Sequence, residues 1–373
     1  MTKPNNGKTM KIVVTGTRGI PGILGGVETH CEELYPRLAA MGHDITVIRR
    51  SSYITENNHI NNYRGVKLLD VYAPRRKSIE AIVHTALAII KARSLNPDLL
   101  HIHAVGPSLL VPFARLLGMK VVMTNHGPDY DRQKWGRLAK TVIKTGERFG
   151  TRWSNKVIVI SKVIADILRR NYNRTDTRLI FNGVNIPEKS VSTAYIDSLG
   201  IEPGKYILAI GRFVKEKGFH DLIEAYSRLG NCGYRLVIAG DADHEDEYSR
   251  RLKKLAADNG VVLTGFIKGS PLNEIMTNAA LFVLPSYHEG LPIALLEAMS
   301  YNLDVVVSDI PANKLDSLST DDFFLTGDIT SLSEAIQRKL ASPAINRDYD
   351  LSPYNWDNIA RQTETVYREV LGI

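Results

Sequence analysis

Residues 11–28 read KIVVTGTRGIPGILGGVE, an apolar, β-branched run that is followed by a glycine-rich loop and then by a helical pattern. The pattern predicts a buried β-strand over residues 11–15 and a helix from Glu28 to Met41. Short apolar strands and amphipathic helices keep alternating along the chain, which indicates parallel sheets covered by helices on both faces. We therefore predict an α/β protein.

A break near the middle divides this alternation into two series. The turn at Asn182-Gly183 is followed by Pro187, and a new strand begins at Tyr206. We therefore expect two domains with a cleft between them. Ligands in such folds bind beyond the carboxyl ends of the strands. The predicted parts are two doubly wound, Rossmann-like domains and a final amphipathic helix, at residues 1–185, 186–354 and 355–373.

The composition limits the classes of function. The 373 residues are 44% hydrophobic and 23% charged, which is ordinary for a globular protein. No window of 18 apolar residues predicts a membrane span, and the polar first ten residues lack an export signal. The two cysteines, Cys31 and Cys232, form no disulfide or zinc framework. We expect a protein of the reducing cytoplasm.

Charge is divided unevenly between the two predicted domains. Residues 1–185 contain 29 lysines and arginines against 13 aspartates and glutamates, whereas the remaining residues contain 18 against 27. In the basic half, cations at three- and four-residue spacing share one face of a predicted helix, at Lys134, Arg137, Lys140, Lys144 and Arg148. An anionic membrane surface would fit that face, and a solvated helix is the alternative. We find no nucleic-acid-binding motif.

The loop after the first strand carries five glycines. Gly25 and Gly26 would let backbone amides approach an anion at the start of the helix. The loop lacks the G-x-G-x-x-G spacing of dinucleotide sites, and the second strand ends at Arg49-Arg50 instead of an acidic residue. Arginine there would suit NADP, so an NADP-dependent oxidoreductase is one alternative, and a glycine turn without a ligand is another.

Histidines mark a second loop. His126 follows a predicted strand, where an imidazole can donate or accept a proton near neutral pH. A structural histidine is the alternative. His101 and His103 share one face of a strand, but no carboxylate or cysteine completes a metal site locally. We therefore predict no metal.

The loop after the first strand of the second domain carries two cations that suit a diphosphate. Arg212 and Lys217 both lie beyond the strand tip. Arginine binds phosphate oxygens bidentately, and lysine adds a compact positive charge. A charged surface turn is the alternative.

The most specific stretch follows the strand at residues 281–284. Glu289 lies in the loop, and Glu297 lies eight residues later in an otherwise apolar helix, where a carboxylate needs a partner such as a pair of ribose hydroxyls. The amides of Gly290 and Leu291 would face a phosphate at the helix start. A purely structural pair of glutamates is the alternative.

Together these motifs resemble the retaining nucleotide-sugar glycosyltransferases of family four, which have the GT-B fold. Glu289 and Glu297 are similar to that family's glutamates separated by seven residues, and residues 211–218 are similar to its diphosphate-binding segment. The N-terminal glycines and residues 126–129 resemble a bacterial subgroup that acts on cell-envelope polysaccharides and has rhamnosyltransferase-like members. The resemblance covers nearly the whole chain.

The resemblance implies a role for each candidate residue. It implies catalytic roles for His126 and Glu289, and donor-binding roles for Gly25, Gly26, Arg212, Lys217, Gly290, Leu291 and Glu297. It also implies transfer with retention of configuration, without a required cofactor or metal, and a final helix, at residues 355–373, that crosses back to the N-terminal domain. The chain departs from the pattern after residues 308–311: many relatives carry a glutamate a few residues further on, whereas this chain has Asn-Lys-Leu-Asp at residues 313–316.

The implied function is transfer of a sugar from a nucleoside diphosphate to a hydroxyl of a glycan in the synthesis of a bacterial surface polysaccharide such as a capsule or O antigen. The glycan would be carried on a polyprenyl diphosphate, and the basic first domain would lie against the inner face of the plasma membrane. A GT-B nucleotide-sugar epimerase is an alternative within the fold. A membrane or nucleic-acid binder without enzyme activity would leave the two glutamates unexplained.

Overall fold

The structure is a computed structural model that describes residues 8–23, 25–75, 79–127, 137–242, 245–341 and 347–373. The chain divides into two units. Unit 1 comprises Met1–Gly183 and Pro353–Ile373, and unit 2 comprises Val184–Ser352. Each unit contains one largely parallel sheet with helices packed on it, so the predicted α/β class with two Rossmann-like sheets is confirmed.

Unit 1 is built on a sheet of eight strands among the described residues. They are β1 (Lys11–Thr15), β2 (Asp44–Arg50), β3 (Asn62–Tyr63), β4 (Val66–Val71), β5 (Leu99–His103), β6 (Val121–Asn125), β7 (Lys156–Val159) and β8 (Arg178–Leu179). Their order across the sheet is β3-β4-β2-β1-β5-β6-β7-β8. All neighbours are parallel except β3 and β4, a short antiparallel pair that the sequence analysis did not predict.

Five helices of unit 1 connect these strands. They are α1 (Gly26–Ala40), α2 (Glu80–Ser94), α3 (Val111–Leu116), α4 (Arg137–Trp153) and α5 (Lys162–Tyr172). Side chains alternate across β1, so Ile12 and Val14 enter a core beneath α1, whereas Val13 enters a second core beneath α2 and α3. Both faces of the sheet are therefore buried, which explains why its strands are apolar runs and not alternating ones.

Unit 2 is built on six parallel strands among the described residues. They are β9 (Tyr206–Ile210), β10 (Arg235–Ala239), β11 (Val262–Gly265), β12 (Leu281–Leu284), β13 (Val305–Ser308) and β14 (Phe323–Phe324). Its helices are α6 (Ala194–Ser198), α7 (Phe219–Arg228), α8 (Glu247–Asp258), α9 (Ser270–Thr277), α10 (Ile293–Ser300) and α11 (Ile329–Ala341). The order across the sheet is β11-β10-β9-β12-β13-β14.

The last helix, α12 (Trp356–Leu371), is part of unit 1 and packs on α1. It buries one apolar face in the same core as β1, through Trp356, Ile359, Val366 and Tyr367. Asn355 caps the helix, because its side-chain oxygen accepts from the amides of the first turn. The chain thus leaves unit 1 at the end of its sheet and returns to it at the carboxyl terminus.

The topology points to one position in each unit where a ligand would bind. In unit 2 the chain runs from β9 outward through β10 and β11, and then continues from β12 on the other side of β9. The carboxyl ends of β9 and β12 therefore flank the switch point, which is where doubly wound sheets hold their ligands. In unit 1 the corresponding neighbours are β1 and β5.

Two remaining features concern the predicted membrane surface. Of the cations on the predicted basic face, Lys144 and Arg148 lie exposed on α4 and Lys140 is half-buried, whereas Ile143 is buried. Lys134 lies outside the described residues. Within the part of the chain that the structure describes, no helix combines the length and the apolarity that a membrane span requires.

Candidate active site

The loops at the switch point of unit 2 bring a buried ion pair together. The ammonium of Lys217, from the loop after β9, donates to Oε1 of Glu289, from the loop after β12, at 2.5 Å. The hydroxyl of Ser286 donates to the same oxygen at 2.7 Å. The two side chains are only 19% and 13% exposed, so a cation and an anion that lie 72 residues apart in sequence share one partly desolvated position.

Glu289 is held in its ionised form. Burial by itself would raise the pKa of its carboxyl, but the positive charge of Lys217 and the hydrogen bonds from Lys217 and Ser286 together lower that pKa below its ordinary value. A carboxylate in this position can accept hydrogen bonds from sugar hydroxyls and stabilise positive charge, while Lys217 remains a positive charge beside it.

Backbone contacts hold the two loops together. Gly218 has φ of +65°, and a Cβ at this position would overlap the carbonyl oxygen of Pro285. The amide of Tyr287 also donates to the carbonyl oxygen of Glu216 at 2.9 Å. Only glycine combines this left-handed conformation with such a close approach, so Gly218 sets the distance between the cation loop and the glutamate loop.

The buried side chains of Ser308 and Asn313 hold the backbone at Ser286 in place. The hydroxyl of Ser308, at the end of β13, donates to the carbonyl oxygen of Ser286 at 2.5 Å. The amide of Asn313 donates to both the hydroxyl and the carbonyl oxygen of Ser308, each at 3.0 Å. Asn313, the residue at the departure from the family pattern, therefore lies behind the glutamate loop and braces it.

The other predicted residues of unit 2 lie on the same two connections. Arg212 is half-buried in the loop that carries Lys217. Gly290 is half-buried and Leu291 is buried just before α10, and Glu297 is half-buried within that helix. Burial, followed by the charge of Glu297, raises the pKa of Tyr301 to about 12, which places that carboxylate near the tyrosine.

In unit 1, the glycine loop is organised by Glu28 from the first turn of α1. Its Oε1 accepts from the amide of Arg18 at 2.9 Å and from the hydroxyl of Thr17 at 3.2 Å. Gly25 has φ of +143°, and a Cβ there would overlap Oε2 of Glu28. The close approach that requires glycine at Gly25 is thus to a carboxylate of the protein. Gly26 is the exposed first residue of α1.

His126 belongs to a cluster of histidines at the carboxyl ends of β5 and β6. Its Nε2 lies 2.9 Å from Nδ1 of His103, and its ring contacts that of His30 edge-on at a centroid distance of 5.0 Å. Nδ1 of His30 in turn lies 3.0 Å from Oδ1 of Asn182. Burial lowers the pKa of His30 to about 4 and, together with the neighbouring histidines, lowers the pKa of His126 well below its ordinary value.

The sequence analysis named His103 and His126 but did not bring them together, and it missed His30. It considered His101 with His103, whereas ring nitrogens of His30, His103 and His126 lie within 4.8 Å of one another. This is the only group of potential metal ligands found among the described residues, and three neutral imidazoles are ligands that zinc accepts. The three histidines come from α1, β5 and the loop after β6, and only the folded unit brings them together.

Arg49 removes the local support for the NADP alternative. Its side chain is fully buried, and its Nε donates to Asp70 at 2.7 Å. Three further guanidinium N–H groups donate to the backbone carbonyl oxygens of Ile20, Asn58 and Ile60. A buried arginine that is engaged in this way is not available to a 2′-phosphate, so Arg49 gives the NADP alternative no support.

Comparison with protein families finds two matches that together span most of the chain. The family described as "Glycosyltransferase Family 4" matches residues 24–187, and the family described as "Glycosyl transferases group 1" matches residues 191–355. The first match falls on the unit that carries the histidine cluster, and the second falls on the unit that carries Lys217 and Glu289.

Individual proteins show the same likeness. The uncharacterized glycosyltransferase MJ1607 of Methanocaldococcus jannaschii is 27% identical, over 97% of this chain and 100% of its own length. A GDP-mannose:cellobiosyl-diphosphopolyprenol alpha-mannosyltransferase of Komagataeibacter xylinus is 26% identical, over 74% and 72%. The solved structure of sucrose-phosphate synthase from Thermosynechococcus elongatus is 22% identical, with a TM-score of 0.82, over 98% of this chain and 100% of that one.

Proposed function

From the membership of this chain in the GT-B glycosyltransferases of the group 1 and family 4 type, we propose that it transfers a sugar from a nucleoside diphosphate to a hydroxyl of a glycan, with retention of configuration. The observation that carries the proposal is the ion pair of Lys217 and Glu289 at the switch point of unit 2. An acid and a cation in contact at this position suit a substrate that is a sugar on one side and a diphosphate on the other.

The diphosphate is the part of the donor that the cations recognise. Lys217 and Arg212 neutralise the charge that grows on the leaving phosphate, and the amides of Gly290 and Leu291 at the start of α10 add hydrogen-bond donors. Because these groups are fixed before the reaction, they stabilise the transition state without reorganising. Such a site needs no metal ion for charge neutralisation.

The sugar and the ribose are held by carboxylates. Glu289 accepts from the hydroxyls of the transferred sugar, and Glu297, four residues into α10, accepts from the vicinal hydroxyls of the ribose. In unit 1, His126 contacts the transferred sugar, and the backbone amides at Gly25 and Gly26 face the diphosphate. The leaving phosphate accepts the proton of the attacking hydroxyl, which is consistent with transfer on the same face of the sugar.

For the acceptor, we propose a glycan carried on a polyprenyl diphosphate at the inner face of the plasma membrane, in the synthesis of a surface polysaccharide. The relative from Komagataeibacter xylinus acts, by its name, on a diphosphopolyprenol-linked sugar. The exposed cations Lys144 and Arg148 on α4 suit anionic headgroups. We also propose that the enzyme is similar to rhamnosyltransferases.

The test is transfer by purified variants. Nucleoside diphosphates and their sugars are first screened by thermal shift, because a ligand of the folded state raises the melting temperature. With the best donor and a polyprenyl-diphosphate glycan, we expect Lys217→Ala and Glu289→Gln each to lower kcat/KM at least 100-fold, on the order expected for lost transition-state contacts. Lys215→Ala changes an exposed lysine of the same loop and should leave the rate unchanged.

Two outcomes would contradict the proposal. Near-normal transfer by both Lys217→Ala and Glu289→Gln would show that the ion pair does not contribute to the reaction. Conversion of the donor to another nucleotide sugar without any acceptor would identify an epimerase instead of a transferase.

A further inference from the structure

A continuous chain of hydrogen bonds inside unit 1 runs from two buried tyrosines to His126. The hydroxyl of Tyr35, on α1, contacts Nε2 of His103, and Nδ1 of His103 lies 2.9 Å from Nε2 of His126. The same hydroxyl lies 3.0 Å from Nδ1 of His101, whereas the hydroxyl of Tyr367, on α12, lies 2.6 Å from that nitrogen. Each of these hydrogen bonds uses one hydrogen. The donor and the acceptor of each bond can therefore be assigned by counting the available hydrogens.

The hydrogen of Tyr35 is assigned to His103. Nδ1 of His101 has a single lone pair or a single hydrogen, and Tyr367 is its closer partner. Tyr35 has one hydrogen of its own, and its shortest contact is to Nε2 of His103. The Tyr35 hydroxyl is also within hydrogen-bonding distance of the Tyr367 hydroxyl. An imidazole nitrogen is a stronger acceptor than that phenol oxygen, so the Tyr35 hydroxyl donates to Nε2 of His103.

The two histidines further along the chain are neutral. Burial first, and then the neighbouring histidines, lower the pKa of His103 and of His126 well below the ordinary histidine value. A neutral imidazole carries one hydrogen. Since Nε2 of His103 accepts, its hydrogen is on Nδ1, which donates to Nε2 of His126; the hydrogen of His126 is then on Nδ1. Among the described residues, nothing in the protein bonds to that Nδ1.

We propose that Tyr35, acting through His103, sets the tautomer of His126, so that His126 offers a substrate an Nδ1–H donor and not a lone pair. Tyr35 and His103 are positioning residues in this proposal, and only His126 contacts the ligand. The consequence for catalysis rests on the proposed function: His126 hydrogen-bonds an oxygen of the bound sugar or phosphate, and it does not take the proton of the acceptor hydroxyl.

Nitrogen-15 NMR of the histidine side chains tests the assignment without reference to activity. In protein labelled at the histidine ring nitrogens, long-range proton–nitrogen correlations distinguish the nitrogen that carries hydrogen from the one that does not. We expect His126 and His103 both to carry hydrogen on Nδ1 at pH 7.5, with the His126 signals identified by their loss in His126→Gln. Hydrogen on Nε2 of His126 would overturn the proposal.

Substitutions along the chain separate positioning from packing. Tyr35→Phe removes the donor, and we expect a mixture of His126 tautomers and a kcat about 10-fold lower, with little change in KM for the donor. His103→Asn keeps an N–H near the position of Nδ1, whereas His103→Leu does not, so the asparagine variant should retain the His126 tautomer and most of the rate. Equal losses in the two His103 variants would overturn the proposal.

A control and a metal analysis complete the test. Tyr206→Phe removes an equally buried phenol, in unit 2, whose hydroxyl donates to the carbonyl oxygen of Ile275 at 2.6 Å; it should leave the His126 tautomer unchanged. One equivalent of zinc in the purified protein, lost in His30→Gln, would overturn the proposal, because a metal would need the lone pairs of the ring nitrogens. The NMR result stands even if no sugar transfer is found, so failure of the proposed function and failure of this inference are distinguishable.

Discussion

At the scale of single residues, the account depends on how Glu289 stays charged in a position where water is largely excluded. Its carboxylate accepts from Lys217 and Ser286, so neither the buried anion nor the buried cation lacks a partner. Buried pairs of this kind add little stability compared with apolar residues, but removal of one partner leaves an uncompensated charge. The pair is therefore better explained as a device for binding a charged substrate than as one for stabilising the fold.

The first prediction concerns the pH dependence of stability. The pKa of Glu289 is lower in the folded protein than in the unfolded chain, so its ionisation stabilises the fold above the ordinary glutamate pKa. That contribution is lost as the pH falls through the lower, folded pKa. We expect the loss of unfolding free energy between pH 7 and pH 3, measured by urea denaturation, to be smaller in Glu289→Gln. An equal loss in both proteins would contradict the lowered pKa.

Sequence reasoning could find the site residues that are marked by the local pattern around them. Glu289 and Lys217 stood out because each lies in a loop directly after an apolar strand, and Glu297 stood out because it interrupts an apolar helix. The hydrogen-bonded surroundings of His126 did not stand out, because His30, its partner Asn182, and Tyr367, the partner of His101, come from segments far apart in the chain. The engagement of Arg49 was missed for the same reason: the groups that bind its guanidinium lie in loops whose folded position the sequence does not reveal.

At the scale of elements, strands buried on both faces were the most predictable, because they are continuous apolar runs. β1 and β12 have their predicted bounds, Lys11–Thr15 and Leu281–Leu284. The short pair β3 and β4 was missed, since two- and six-residue strands with polar residues give a weak pattern. The mutual position of the loops after β9 and β12 follows from strand order, which the sequence analysis did not predict.

The second prediction tests the backbone contact that joins those loops. Gly218→Ala places a methyl group against the carbonyl oxygen of Pro285, and we expect unfolding free energy to fall by about 3 kcal/mol, with loss of nucleotide binding. Gly200→Ala is the matched control, because Gly200 has the same φ of +65° with no atom within 4 Å of the added methyl. It should cost about 1 kcal/mol and leave binding intact. Equal effects of the two changes would show that the contact with Pro285 does not matter.

The third prediction concerns α4. If its basic face holds an anionic membrane, Lys144→Ala combined with Arg148→Ala should weaken sedimentation with vesicles of anionic lipid by roughly 30-fold at low salt, at about 1 kcal/mol for each cation. Arg250→Ala combined with Lys254→Ala removes two exposed cations with the same spacing from α8 in unit 2, and it serves as the control. If both double variants bind vesicles alike, the prediction fails.

At the scale of the whole molecule, the two units differ in charge and in the kind of site that each one carries. Unit 1 holds uncharged histidines and tyrosines beneath a glycine loop, whereas unit 2 holds an ion pair at a helix start. The final helix belongs to unit 1 because its apolar face completes the core on α1. The fold class was predictable from alternating strands and helices, whereas the hydrogen-bonded histidine cluster needed the folded unit.

Hydrogen–deuterium exchange with a bound nucleoside diphosphate tests the central claim most directly. Among UDP, GDP, ADP and dTDP, the one that raises the melting temperature most is added at saturation. We expect slower amide exchange in residues 211–218 and 285–293, and no such protection in Lys217→Ala. If the nucleotide binds but protects only the glycine loop of unit 1, or if none of the four binds, the claim that unit 2 holds the donor diphosphate at Lys217 and Glu289 is contradicted.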